Sequence, residues 1–227
     1  MHKVMSSFRF ILLWIPAMIF ALIASLISFA IILLGASFVA LYIWGGEATV
    51  SGTGAVIFAL ILYSTMGAAM GLLYGSTQKA LLRQKTDDPW RAWTLASVIG
   101  GIIGIVITLF ILAPQLARYL TWLILPPPEV LLLVGIQIST IPFACMSFAQ
   151  IFVLGQHVHG AWTWVLANIV GGLLMFSLLA AGILGIGTTP LLAIAALLIV
   201  SAAPGIVTGF ALLWLLNFNW KHDYPEY

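Results

Sequence analysis

The chain predicts an all-α membrane protein. Six transmembrane helices are expected as three tandem helical-hairpin repeats, with both termini on the inner side of the bilayer. Three observations lead there. First, 63% of residues are hydrophobic and only 6% are charged, whereas a soluble domain carries about 25% charged residues; water is therefore not the main solvent of this surface. Second, Trp-x-x-Ala heads three long apolar runs, at Trp14–Ala17, Trp93–Ala96 and Trp164–Ala167. The last two extend as WTLASVIGG and WVLANIVGG, ending at Gly101 and Gly172. Third, a small-residue pattern closes each copy: Gly71-x-x-x-Gly75-x-x-Gln78, Ser147-x-x-Gln150 and Gly205-x-x-x-Gly209. Self-similarity of this kind marks a repeat architecture. The hairpins cover about residues 8–83, 90–155 and 162–220 of a single integral membrane domain, 1–227.

A span needs about 20 apolar residues. The first runs over about residues 8–42, too long for a perpendicular crossing, so it tilts, projects beyond the bilayer or breaks near Gly35. His2, Lys3 and Arg9 precede it in the manner of a signal peptide. A signal core is only about 7–15 residues, and the apolar run 10–44 is more than twice that; a retained helix is expected. The second span covers about residues 55–82 and aligns Gly67, Gly71 and Gly75 on one face. The third covers about 92–117, with Gly100 and Gly104 on one face. Such faces bring helix backbones close together in lipid, where hydrophobic drive between helices is small.

The fourth span, about residues 130–154, carries Gln137, Ser139, Thr140 and Pro142 near its middle. An internal Pro frees a backbone carbonyl and kinks the helix, and a kinked polar segment at the midplane is a place for a transporter site. The fifth covers about 162–184, and the sixth, with Gly205 and Gly209, about 191–216. Of the outer connections, 45–53 is a short Gly/Ser/Thr loop, 118–129 holds Pro126-Pro127-Pro128 with residues 119–122 lying flat at the headgroups, and 185–190 is a tight turn.

Charge sets the orientation. One side holds Lys3, Arg9, Lys79, Arg83, Lys85, Arg91 and Lys221, and the other only Arg118. Positive residues mark the cytoplasmic side. Glu47, Arg118 and Glu129 then lie outside. Trp90, Trp93, Trp162, Trp164, Trp214 and Trp220 form an inner aromatic belt, and Trp44 and Trp122 an outer one. The Trp at each hairpin head is expected to anchor the interface.

No Asp, Glu, Lys or Arg falls in the middle of a span, which argues against a carboxylate proton relay or carboxylate metal centre. The uncharged polar candidates are Gln78, Gln137, Ser139, Thr140, Gln150 and Asn168. Gln78, Ser97, Gln150 and Asn168 are expected to form one polar layer near the cytoplasmic face, as a hydrogen-bonded clasp or a substrate gate. His157 and His159 offer imidazoles for a haem, pigment or metal, but no third ligand is at hand, so no cofactor or metal is expected. Cys145 lies in an apolar run and reads as a small buried hydrophobe. There is no Gly-x-Ser-x-Gly, His-Glu-x-x-His, P-loop or paired intramembrane aspartate, and no enzyme is expected.

The segment Gly71-Leu-Leu-Tyr-Gly75-Ser-Thr-Gln78-Lys-Ala-Leu-Leu-Arg83, followed by Trp93-x-x-Ala96, resembles a bacterial polytopic membrane family. Its members repeat a Gly-x-x-x-Gly-x-x-Gln-x-x-x-Leu-Arg helix end and a Trp-x-x-Ala helix start. The resemblance implies the hairpin-repeat topology and the bacterial cytoplasmic membrane, and no activity. The third repeat departs from it, with Leu212 at the Gln position. Mitochondrial carriers also have three two-helix repeats, but their Pro-x-acidic-x-x-basic signature is absent here.

The expected function is a non-catalytic accessory or scaffold subunit of a larger respiratory, photosynthetic or transport complex. Its partners are the lipid bilayer and other membrane subunits, not nucleic acid. The alternative is a small-solute permease or a lipid- or hydrophobe-binding membrane protein, with a site on the hairpin axis among Gln137, Ser139, Thr140, Gln150 and Asn168.

Overall fold

The computed structural model describes residues 5–44, 53–86, 90–121, 127–185 and 190–218. They form six helices: α1 (Ser7–Trp44), α2 (Thr53–Thr86), α3 (Trp93–Thr121), α4 (Pro128–His157), α5 (Trp162–Gly185) and α6 (Pro190–Phe218). Five of them contain stretches long and apolar enough to cross a membrane, and the described part of α5 adds a shorter apolar stretch, Trp162–Leu178. The chain is thus a multi-pass membrane protein by length and composition. Helices suit that setting because each satisfies its backbone hydrogen bonds internally.

Consecutive helices pack against each other, and α6 returns to pack on α1, so the six form a closed ring. Polar contacts close the ring at the end that carries Lys79, Arg83 and Arg91. Met5 donates its N–H to the Gln84 carbonyl at 3.1 Å. Lys85 Nζ donates to the Met5 carbonyl at 3.3 Å and to Ser7 Oγ at 3.2 Å. Asn217 Nδ2, from α6, donates to the same Ser7 Oγ at 3.2 Å. The start of α1 is thereby tied to the last turns of both α2 and α6.

α1 is one unbroken helix of 38 residues, about 57 Å long at 1.5 Å per residue. Pro16 lies within it, and it does not break at Gly35. Nothing stands within 4 Å of a Cβ built at Gly35, and Leu34, Phe38 and Tyr42 are exposed. The first half of α1 packs in the ring and the second half stands clear. α3 continues as helix through residues 119–121 rather than turning flat there. Residues 45–52, 122–126, 186–189 and 219–227, and the side chains of Trp44, Arg118 and Glu129, lie outside the described residues. So do Lys3, Glu47, Trp122, Trp220 and Lys221.

The glycine faces seat the helices. Gly67, Gly71 and Gly75 all face α3, where a Cβ would strike Gly101, Ser97 and Thr94. Gly100 and Gly104 face α4 at Met146, Cys145 and Pro142. Gly205 and Gly209 face α1 at Ile15, Met18 and Trp14. Pro142 thus sits in a helix–helix contact, its Cα against Gly104.

Candidate functional site

The three hairpin-head tryptophans do not face outward as an aromatic belt would. Trp14, Trp93 and Trp164 are each 0% exposed and converge in the centre of the ring. Trp164 meets Trp14 edge-on, with ring centroids 6.3 Å apart, and meets Trp93 at 6.0 Å. Phe10 packs on Trp14 at 5.2 Å. Trp90, assigned by sequence to the aromatic belt, is also buried, edge-on to Trp93 at 5.4 Å. Trp162 and Trp214 do remain exposed, at 62% and 48%. The reason for the inversion is the indole N–H. Buried indoles need an acceptor, and acceptors are placed for all three.

Trp93 Nε1 donates to Gln78 Oε1 at 3.1 Å. Trp164 Nε1 donates to Gln150 Oε1 at 2.7 Å. Trp14 Nε1 donates to Thr208 Oγ1 at 3.3 Å. In each case the acceptor lies on the helix that precedes the tryptophan around the ring: α2 before α3, α4 before α5, and α6 before α1. The glutamine amides then join the layer together. Gln150 Nε2 donates to Gln78 Oε1 at 2.8 Å and to Ser97 Oγ at 2.7 Å. Gln78 Nε2 reaches Met18 Sδ at 3.8 Å. Asn168 Nδ2 turns back to the Trp164 carbonyl at 2.8 Å.

Leu212 is 0% exposed and stands in α6 where Gln78 and Gln150 stand in α2 and α4. It has no acceptor to offer Trp14. Thr208, one turn earlier, takes that role, and its hydroxyl donates onward to the Pro204 carbonyl at 2.6 Å. Sequence reading passed over Thr208, because the acceptor had shifted off the expected position. Gly100 was read as a packing residue, but Gly101 and Gly172, which close the two Gly-Gly endings, were missed. Gly101, eight residues after Trp93, meets Gly67, eleven before Gln78; Gly172, eight after Trp164, meets Ser139, eleven before Gln150.

Beside the layer lies a small cavity of about 20 Å³, lined by Met18, Gln78, Gln150, Asn168, Ser201 and Thr208 among others. That is room for about one water molecule, not for a metabolite. Of the sequence candidates, Gln78, Gln150 and Asn168 come together here. Gln137, Ser139 and Thr140 do not line this cavity. Ser139 Oγ bonds the Ile136 carbonyl within its own helix at 3.1 Å. Gln137 Oε1 and Thr140 Oγ1 are buried without a protein partner. His157 stacks on Trp90, with ring centroids 4.5 Å apart, and His159 is exposed. Among the described residues no cluster of His, Cys, Asp or Glu is arranged to hold a metal.

The layer's chemistry is that of a clasp. Among the described residues no Asp, Glu, Lys, Arg or His belongs to it, Tyr74 lines the cavity beside it, and each of its amides and indoles is engaged by a neighbour. No family model, curated protein or solved structure matches the chain.

Proposed function

We propose that this chain is a non-catalytic scaffold subunit of a larger complex in the bacterial cytoplasmic membrane. The observation that carries the reading is the closed central layer of Trp14, Trp93, Trp164, Gln78 and Gln150. A solute path along the ring axis would have to break it. Buried aromatic and amide groups locked this way supply rigidity rather than turnover. Outside the layer the helices present broad apolar surface, including Phe20, Ile31, Ile61, Phe110 and Phe152, suited to lipid and to partner helices.

The same contacts support a three-repeat reading of the chain and its kinship with the hairpin-repeat family. Each repeat gives an indole to the one before it and an acceptor to the one after. The excess of Lys and Arg at the layer's end of the ring supports a cytoplasmic position for that end and for both termini.

The test is a gentle-detergent purification of the tagged protein from its native membranes, read by mass spectrometry. Stoichiometric membrane partners are expected. A monomer with no partner contradicts the scaffold role. A second reading, a small-solute permease, draws on Gln137 Oε1 and Thr140 Oγ1, whose burial without a partner is costly in lipid. If Gln137→Leu abolishes a solute flux in proteoliposomes, the permease reading replaces the scaffold.

A further inference from the structure

The outer side of the α3–α4 hairpin holds a groove of about 670 Å³, far larger than the axial cavity. Its lining is almost wholly apolar. Ala96, Ala144, Cys145 and Ala149 line it together with Ile103 and Phe152. Along α3 the lining runs from Ala92 to Ile107, about 22 Å at 1.5 Å per residue. A flexible acyl chain is a slim guest, and the lining exceeds the roughly 15 Å of one leaflet of a hydrocarbon core about 30 Å thick, so it covers a chain over the full depth of its leaflet.

One end of the groove is chemically marked. Arg91 is exposed and directly precedes Ala92, which lines the groove. Trp162 is 62% exposed and stands 5.7 Å, ring to ring, from the lining residue Phe148. Lys79, Arg83 and Lys85 sit at this same end of the ring, and in the sequence from 79 to 91 these cations and Arg91 outnumber the carboxylates Asp87 and Asp88. An exposed Arg next to one lining residue and an exposed Trp against another are groups of the headgroup level, and the sign of the Arg selects an anionic lipid.

We propose that this groove binds one acyl chain of an anionic phospholipid, with the phosphate-bearing headgroup held at Arg91 and Trp162. The site rests on the membrane-spanning character of the chain and is independent of the scaffold reading.

Cys145 is the chain's one cysteine and lines the groove, so it reports occupancy without an engineered label. The full-length protein is delipidated in maltoside detergent. The rate of N-ethylmaleimide coupling at Cys145 is then followed as phosphatidylglycerol or phosphatidylcholine is added. Phosphatidylglycerol is expected to slow coupling at least tenfold at saturation, and phosphatidylcholine less than twofold. Arg91→Gln raises the half-protecting phosphatidylglycerol concentration at least fivefold. In native mass spectrometry, wild type retains a single phosphatidylglycerol and Ala149→Phe, which fills the groove, does not. Near-ultraviolet circular dichroism of the buried tryptophans shows whether each variant is folded. Equal protection by the two lipids, protection by neither, or insensitivity to Arg91→Gln overturns the proposal. So does a crosslink from Cys145 to a second polypeptide in native membranes.

Discussion

Trp93 and Gln78, fifteen residues apart on α3 and α2, meet in a buried hydrogen bond of 3.1 Å. The same Gln78 oxygen also accepts from Gln150 Nε2 at 2.8 Å. One amide therefore joins the first hairpin to the second and closes the centre of the ring. Removing it leaves the Trp93 indole without an acceptor and Gln150 Nε2 with Ser97 Oγ alone, at about 1–3 kcal/mol for each lost bond in general, and less where the unfolded state in lipid finds other partners. Gln78→Leu is expected to lower stability by about 2–3 kcal/mol, measured by reversible unfolding in mixed micelles. Gln150→Leu is expected to cost as much or more, since it strips Trp164 of its acceptor. In a double-mutant cycle the pair is expected to be non-additive, because both report on one network.

The tryptophans separate packing from anchoring. Trp164→Phe keeps an aromatic ring but deletes the N–H that Gln150 accepts at 2.7 Å, and is expected to cost about 1–2 kcal/mol. Trp162→Phe, two residues away on the exposed face, is expected to fall within about 0.5 kcal/mol of wild type. Melting of both variants in detergent checks this, and equal effects would return Trp164 to the interface.

Leu212 tests the repeat reading. It occupies the third glutamine position and packs in the same core cluster as Trp14. Leu212→Gln is expected to be tolerated within about 1 kcal/mol, since its amide joins a polar layer. Leu154→Gln, at an equally buried site one turn beyond Gln150 and outside the hydrogen-bonded set, is expected to cost about 3 kcal/mol or more as an unpaired buried amide. Comparing the two variants in one unfolding assay makes background effects cancel.

Glycine substitutions are expected to divide by what a Cβ meets. At Gly71 it would strike the Ser97 carbonyl and the Val98 Cα, both backbone. Gly71→Ala is expected to force α2 and α3 apart and to cost about 2 kcal/mol or more, in the range of overpacking. At Gly35 nothing stands within 4 Å. Gly35→Ala is expected to stabilise α1 by about 0.5–1 kcal/mol through helix propensity alone. Thermal unfolding of both variants reads the contrast.

Much of the fold is legible in the sequence. Long apolar runs mark the helices to within a few residues, and the Gly67–Gly71–Gly75 and Gly205–Gly209 spacings mark faces that do seat neighbours. The polar layer was visible as Gln78, Ser97, Gln150 and Asn168 at matching positions. The tryptophans were misplaced for a physical reason. Indole is an interfacial residue when water satisfies its N–H and a core residue when a protein group does, and a lone Trp beside basic residues looks like the former. The discriminating signal was the co-occurrence of Trp93 and Trp164 with a glutamine on the preceding helix. Thr208 was hidden because Leu212 holds the expected position and the acceptor moved one turn. The continuity of α1 through Gly35 was hidden because helix length alone does not distinguish a projecting end from a break. The α3–α4 groove needs the side chains of two helices placed together, which no single-helix pattern encodes.

The Trp–Gln layer closes the centre of the ring, and the proposed scaffold role rests on that closure. The most direct measurement is solute flux through purified protein in sealed proteoliposomes, using a panel of small neutral and charged solutes. Leakage no faster than that of protein-free vesicles is predicted for every solute. A saturable flux of any one of them, lost in Gln137→Leu or Asn168→Leu with the fold intact, would contradict the claim.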